Sequence, residues 1–440
     1  MAWMFAQAPQ WGMLLERPLT LLGGLSPRQF MSRHWQKRPL LVRQAWPGVK
    51  PPLELDALLA LAAREGVESR LVVQSGGGTK RVSRSAARGG AGWHLQHGPF
   101  KPDALPPLDQ RGWTLLVQGL DLHDDRAHQM LEPFRFVPHA RLDDVMVSYA
   151  TDGGGVGPHV DAYDVFLLQV QGMRRWRVGP VADARIVEGL PVRILRAFEP
   201  TQEWVLAPGD MLYLPPRWGH DGVAQGPCMT CSIGFRVPGQ TEVGVELMQR
   251  LAETAADEGD SFDPAHPRPR DGLHPGGDVP GNEALYRDPR QPPTQHPGRI
   301  PEGLQRFALQ ALQRQLRRQA AARVALGEWL SEPKPSVWFD AELPKRNRPS
   351  RLVQQGQAEA VVLDRRTRMM YDDSCVYVNG ESFQAAGRDA QAMAWLADHR
   401  RLEGRRLQGL TAGARIVLAD WVSQGWVHVV RAPVARPGTR

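Results

Sequence analysis

The stretch Gly153–Arg177, GGGVGPHVDAYDVFLLQVQGMRRWR, decides how the rest of the chain is read. A glycine-rich entry delivers His159 and Asp161, an apolar run with β character follows, and a second turn at Gly172 leads to Arg174 and Trp176. Residues i and i+2 of a strand share a face, so His159 and Asp161 offer an imidazole and a carboxylate to one point. The third donor is expected from a later antiparallel strand, and His220 in APGDMLYLPPRWGHDG is the candidate. There Ala207–Asp210 reads as a turn, Met211–Leu214 as a short apolar strand, and Pro215 and Pro216 as its stop. Two histidines and one carboxylate on one face of a metal leave the opposite positions open, as in the non-haem Fe(II) oxygenases. The same ligands suit Mn, Co and Ni, so they do not fix the metal.

Arg174 adds a second requirement. It follows the metal strand and is placed to aim its guanidinium into the same barrel, where it needs an anion; a carboxylate matches the guanidinium fork. The alternative is an internal salt bridge. Ser148, upstream of the glycine-rich turn, and Thr230 or Ser232, on the inward face of a strand over Met229–Phe235, are candidate hydroxyl donors to a bound oxo-acid.

Together His159-x-Asp161, Gly172-x-Arg174-x-Trp176 and Pro208-Gly-Asp-Met-Leu-Tyr-Leu-Pro-Pro-x-x-x-His220 resemble the JmjC branch of the cupin 2-oxoglutarate oxygenases. Within that branch the chain is similar to the bacterial ribosomal oxygenases, which hydroxylate an arginine of large-subunit ribosomal protein L-sixteen. The likeness runs from about Trp35 to Val430, since QKRPLLVRQAWPG near the N-terminus and the C-terminal region share it. It implies an α+β protein with a mainly β core: a double-stranded β-helix (jelly-roll, cupin) JmjC domain, a helical dimerisation segment and a C-terminal winged-helix-like domain. It also implies Fe(II) held by His159, Asp161 and His220, 2-oxoglutarate with its distal carboxylate on Arg174, and protein arginine 3-hydroxylase activity. No general base is needed. The implied substrate is a ribosomal protein, free or in a ribosome assembly intermediate, met by a cytoplasmic homodimer. A substrate guanidinium calls for an acidic or aromatic grip, for which Asp152 and Tyr163 are the candidates; for Asp152 the alternative is capping the glycines that follow it.

The length of 440 residues exceeds one ordinary core, so the chain is divided into a catalytic domain with its N-terminal extension at 1–240, helices and a Pro/Gly-rich linker at 241–335, and a winged-helix-like unit at 350–432. No apolar run reaches the length of a membrane span, and the first twenty residues lack a basic secretory n-region. The three cysteines do not suggest a disulfide framework, and Cys228 and Cys231, a lone CxxC in an expected strand, are expected on opposite faces. The net charge of +7 is compatible with an acidic partner such as a ribosome without requiring one.

Ser26 followed by Pro27 marks a helix start, and Leu53–Arg64 and Asp121–Leu131 read as further helices. Ser75–Gly92 reads as a basic loop in a hairpin and Asp257–Pro301 as linker, with His266, His274 and His296 too dispersed to hold a metal. Glu302–Leu330 is expected as a helix with Leu304, Phe307, Leu312 and Leu316 on one stripe. The C-terminal order of strands and helices invites a DNA-binding reading. Its second helix, AGARIVLADWVSQ, carries one arginine and one aspartate, too little charge to grip phosphates, so specific DNA binding is not expected. Two alternatives to the oxygenase remain: a cupin sensor with a DNA-binding winged helix, and a metal cupin enzyme that does not use 2-oxoglutarate.

Overall fold

A computed structural model describes residues 15–74, 92–101, 104–260, 301–316, 319–340 and 348–430. The expected basic loop, apart from Gly92, and nearly all of the expected linker with its three histidines lie outside the described residues. The chain divides into two compact units, one of residues 1–237, 333–367 and 386–440, the other of residues 238–332 and 368–385.

In the first unit ten antiparallel strands form one sheet: β1 (Leu40–Val42), β2 (Ser69–Gln74), β3 (Trp93–His97), β4 (Trp113–Val117), β5 (Leu142–Ala150), β6 (His159–Val160), β7 (Val165–Pro180), β8 (Gln202–Leu206), β9 (Met211–Leu214) and β10 (Trp218–Phe235). The main path runs β1-β9-β7-β10-β5-β4-β2-β3, with β6 on β10 and β8 on β7. Period-two alternation explains how one sheet makes both a core and a cavity. On β5, Val145, Val147 and Tyr149 enter the main core, while Asp144, Met146 and Ser148 line the cavity. On β10, Met229, Cys231, Ile233 and Phe235 face the core, while Thr230, Ser232 and Gly234 face the cavity. A one-residue slip in either strand would exchange the two sets.

The core side is closed by the N-terminal extension. Ser26 starts the helix Pro27–Arg33 with a capping box: its Oγ accepts from the Gln29 N–H (3.3 Å), and the Ser26 N–H donates to Gln29 Oε1 (3.1 Å). Such a cap contributes about 1 kcal/mol. It aims the fully buried Phe30 at Phe166 and Tyr213, with ring centroids 5.4 and 4.9 Å away.

The expected turn at Gly172 is instead a bend inside β7, which continues from Val165 to Pro180. The pairing with β10 shifts register between Gln225 and Met229, and Gly172 sits at φ +62° with its absent Cβ only 2.2 Å from the Pro227 carbonyl oxygen. Only glycine allows both the backbone angle and that approach. His220 and Thr230, assigned to separate strands from the sequence, share the single strand β10. The expected helix Asp121–Leu131 shortens to Asp125–Gln129, because Asp124 accepts from the N–H groups of Arg126 and Ala127 (2.9 and 3.0 Å) and starts it there. Asp121 instead accepts from the Val145 N–H at 2.9 Å.

The same unit holds a three-stranded sheet of Arg401–Glu403, Ala360–Leu363 and Val427–Val430, with the helices Arg348–Gln354, Gly387–His399 and Ala412–Ser423. The second unit contains the helices Gln240–Asp260, Glu302–Leu316 and Gln319–Ser331 and a meander of Met369–Tyr371, Cys375–Val378 and Glu381–Gln384. The unit expected over 350–432 is therefore shared between the two. The meander belongs with the helix before it: Ser382 Oγ donates to Glu328 Oε1 (2.6 Å), the Gly380 N–H donates to Ser331 Oγ (3.1 Å), and Tyr377 lies so close to Gly327 that a Cβ there would sit 2.3 Å from its ring. None of the described helices is long and apolar enough to cross a membrane. Cys228 and Cys231 are both free, the first packed with Ala150 and Ala224, the second in the main core.

Candidate active site

The cavity, about 1470 Å³, is lined from β2, β4, β5, β6, β7 and β10 and by the loops that carry Tyr163, Arg193 and Arg217. At one place on its wall the ligating atoms of His159, Asp161 and His220 lie within 4.8 Å of one another, the one such cluster among the described residues. Strand β6 is only His159–Val160, shorter than the sequence suggests, and it pairs His159 with His220 across β10. Asp161 lies just past the strand end, held by the Arg217 N–H donating to its carbonyl at 2.9 Å.

Both imidazoles are oriented by backbone. His159 Nδ1 is 2.9 Å from the Gly157 carbonyl and His220 Nδ1 is 3.1 Å from that of Trp218. Each Nδ1 donates there, which leaves both Nε2 atoms turned to the carboxylate, 4.0 and 3.5 Å from Asp161 Oδ2. Burial, with the nearby His159, lowers the His220 pKa to about 4, so this imidazole is neutral and able to ligate at neutral pH. Two imidazoles and one carboxylate, with the far side open to the cavity, fit a divalent first-row metal.

The second half of the site follows from register. On β10 His220, Gly222 and Ala224 stand opposite Val178, Trp176 and Arg174 of β7. The metal histidine and the arginine pair thus lie four residues apart, about 13 Å of strand. The Arg174 guanidinium carbon lies 5.8 Å from the centre of the Trp176 ring, and Nη1 donates to Ser148 Oγ at 3.2 Å. Arg174 is 5% exposed, yet its Nε and Nη2 have no hydrogen-bond partner among the described residues; the same holds for Thr114 Oγ1 and Trp176 Nε1. Buried donors without partners are costly, and a bound carboxylate would supply what the guanidinium lacks. The donor set therefore fits a dicarboxylic oxo-acid. Among the described residues, the internal salt bridge considered as the alternative is not formed.

Thr230 lines the cavity, but its hydroxyl donates to Gln169 Oε1 at 2.9 Å; Ser232 also lines it. Tyr163 lines the cavity mouth, where burial of its hydroxyl and the Asp161 carboxylate both raise its pKa. Asp152 is not brought to the cavity lining: its carboxylate accepts from the Gly226 N–H (2.8 Å) and pairs with Arg111 (2.7 Å), closing the loop between β5 and β10. The glycine it caps is Gly226, not those directly after it. Thr114 escaped sequence reasoning because a lone strand threonine carries no signal until β4 is registered against β5.

Gly222 keeps the floor open. A Cβ there would meet the Trp176 ring at 2.6–2.9 Å, so Gly222→Ala is expected to push the indole into the space beside Arg174 and raise the Kd for a dicarboxylate at least about tenfold. Calorimetric titration with 2-oxoglutarate as the probe, beside a thermal melt to show the variant is folded, checks this.

A wall of the same cavity carries Asp143 and Asp144, which the sequence did not single out; Lys334 Nζ reaches them at 3.4 and 2.9 Å. Burial, then the adjacent Asp144, raises the Asp121 pKa to about 7. A carboxyl whose folded pKa is raised binds its proton more tightly when folded, so the stability this confers is present at acid pH and lost as pH rises from about 4 to 7. Asp121→Asn should flatten that slope and gain most over the parent protein near pH 8, by a few kcal/mol at most. Denaturant melts at pH 5 and pH 8 measure it.

The antiparallel cupin with its open two-histidine, one-carboxylate centre has a counterpart among known families: residues 129–243 match the JmjC domain family, and residues 311–428 match the ROXA-like winged helix. Among individual proteins it is similar to the ribosomal protein uL16 3-hydroxylase of Escherichia coli (strain K12), 37% identical over 217 residues, which is 49% of this chain and 53% of that one. A probable ribosomal oxygenase of Haemophilus influenzae is also 37% identical, over 218 residues, 49% of this chain and 50% of that one. The chain thus spans about half the length of these curated relatives in the matched region. In structure it resembles YcfD, a ribosomal oxygenase from Escherichia coli, with TM-score 0.70 and 28% identity over 92% of this chain and 98% of that one. A structure of YcfD in complex with cobalt and 2-oxoglutarate matches with TM-score 0.69, at the same identity and coverage.

Proposed function

We propose that this protein is an Fe(II)- and 2-oxoglutarate-dependent oxygenase that hydroxylates the β-carbon of an arginine in a large-subunit ribosomal protein. The observation that carries the reading is one cavity with a three-donor metal cluster on its wall and, on the paired strands, a buried arginine with two unengaged N–H-bearing nitrogens. The similarity to an enzyme named for uL16 hydroxylation, and to one solved with cobalt and 2-oxoglutarate, supports substrate and cosubstrate.

His159, Asp161 and His220 would hold the iron, and Arg174 with Ser148 would hold the distal carboxylate of the oxo-acid. Bound there, iron with 2-oxoglutarate and dioxygen would supply the oxidant, with succinate and carbon dioxide as coproducts. The chain's own work is placement: Gly157 and Trp218 carbonyls fix both imidazoles, Trp176 and the apolar wall exclude water, and the cavity mouth presents one substrate C–H bond to the metal. Tyr163 is suited to stack on or accept from a substrate guanidinium. Asp152 already pairs with the guanidinium of Arg111, and exchange of that partner would let it serve a substrate arginine. A ribosomal protein substrate supports a cytoplasmic location. On the helix Glu302–Leu316, Leu309, Leu312 and Leu316 are 60%, 50% and 53% exposed, which supports a homodimer through this segment.

The test is succinate formation: Fe(II) and 2-oxoglutarate should give substrate-stimulated succinate, and none should form with Asp161→Ala.

A further inference from the structure

We infer that Asp164 is a positioning residue for the metal centre, fixing the short loop that carries Asp161 through a buried network with Gln36, Arg141 and Tyr213. This rests on the metal-site reading above and adds to it a set of residues outside the ligand triad.

Asp161 is the ligand with the least support. The strand before it is two residues long, among the described residues its own backbone is tied through the Arg217 N–H alone, and four residues later the chain must enter β7. Asp164 makes that entry. Its carbonyl accepts from the Phe235 N–H at 3.1 Å, and its side chain is fully buried. Tyr213 donates its hydroxyl to Asp164 Oδ1 (2.5 Å), Gln36 Nε2 donates to Oδ2 (3.2 Å), and Arg141 Nη2 stands 3.6 Å from Oδ2. The Tyr213 hydroxyl in turn accepts from the Gln36 N–H at 2.8 Å, from a backbone at φ +56° that a non-glycine residue rarely adopts. Burial and the Asp164 carboxylate both raise the Tyr213 pKa, so the phenol stays a donor.

Segments about 130, 20 and 50 residues away in sequence thus converge on one buried carboxylate. As a device for stability that is poor value, since burying a charge costs more than an apolar replacement of the same shape. Its gain is geometric: it holds one end of a three-residue span whose other end is a metal ligand. Partners outside the ligand shell that orient ligands typically change metal affinity by about 10–100-fold when altered.

Asp164→Asn keeps the shape and removes the charge. The full-length protein is titrated with Co(II), read by its visible absorption, beside a thermal melt. Asp364→Asn serves as control, because Asp364 is likewise a buried carboxylate, bound to Arg366 (2.7 Å) and His428 (2.8 Å), that does not line the cavity. The expected result is a Co(II) Kd raised about tenfold in Asp164→Asn with a changed Co(II) spectrum, against an unchanged Kd in Asp364→Asn. Unchanged Co(II) binding in Asp164→Asn, while His159→Ala loses it, overturns the inference and leaves the metal site standing. Parent-like binding in His159→Ala overturns the metal-site reading itself. If Asp164→Asn does not fold, the half-exposed Gln36→Ala decides: a Kd raised two- to threefold upholds the inference, and parent-like binding overturns it.

Discussion

Arg174→Met is expected to raise the KM for 2-oxoglutarate by at least about a hundredfold, and at the same time to leave the protein without cosubstrate as stable as the parent or more so. The first effect follows from what the guanidinium is free to do. Nε and Nη2 are buried without partners, and a carboxylate would take both; hydrogen bonds to charged groups contribute about 1.5–3 kcal/mol each, and two of them correspond to a factor of roughly 100 or more. The second follows from the same geometry with opposite sign. In the absence of an anion the buried guanidinium has, among the described residues, one hydrogen bond, to the Ser148 hydroxyl at 3.2 Å, beside the Trp176 ring, and methionine of similar length relieves its desolvation. Kinetics with varied 2-oxoglutarate and a thermal melt without it measure the two. A variant destabilised in the melt with unchanged KM would show that Arg174 is a structural ion.

His159→Ala is expected to abolish turnover, below about one part in a thousand of the parent, with the fold retained. The imidazole is half-buried, and besides its contacts with Asp161 and His220 in the site it is held by a backbone carbonyl two residues away, so its loss leaves the core packing in place. Two ligands remain of three, and since altering an outer partner already costs about 10–100-fold in metal affinity, losing a ligand costs more. Metal titration followed by succinate assay at saturating Fe(II) separates weaker binding from impaired chemistry. Activity restored by excess metal would mean that His220 and Asp161 suffice.

His159, Asp161, Arg174 and His220 were legible because each combines a chemically special side chain with a spacing that strands convert into direction. Gly172 misled for a physical reason: a bulge in a long bent strand and a turn between two strands both demand positive φ. Thr114, Asp164 and Tyr213 could not be read at all, because their roles exist only once β4 is registered on β5 and β9 on β7. The sharing of the C-terminal region between two units was hidden too. It depends on the match of Tyr377 to the bare surface at Gly327, and a sequence does not reveal which glycine a distant ring will cover.

The most direct test of the central claim is mass spectrometry of a peptide from the large-subunit ribosomal protein uL16, incubated aerobically with the protein, Fe(II) and 2-oxoglutarate, beside His159→Ala. The account predicts one added oxygen on an arginine of the peptide, absent with the variant. No added oxygen on the peptide and no succinate, from protein shown to carry iron, would contradict it.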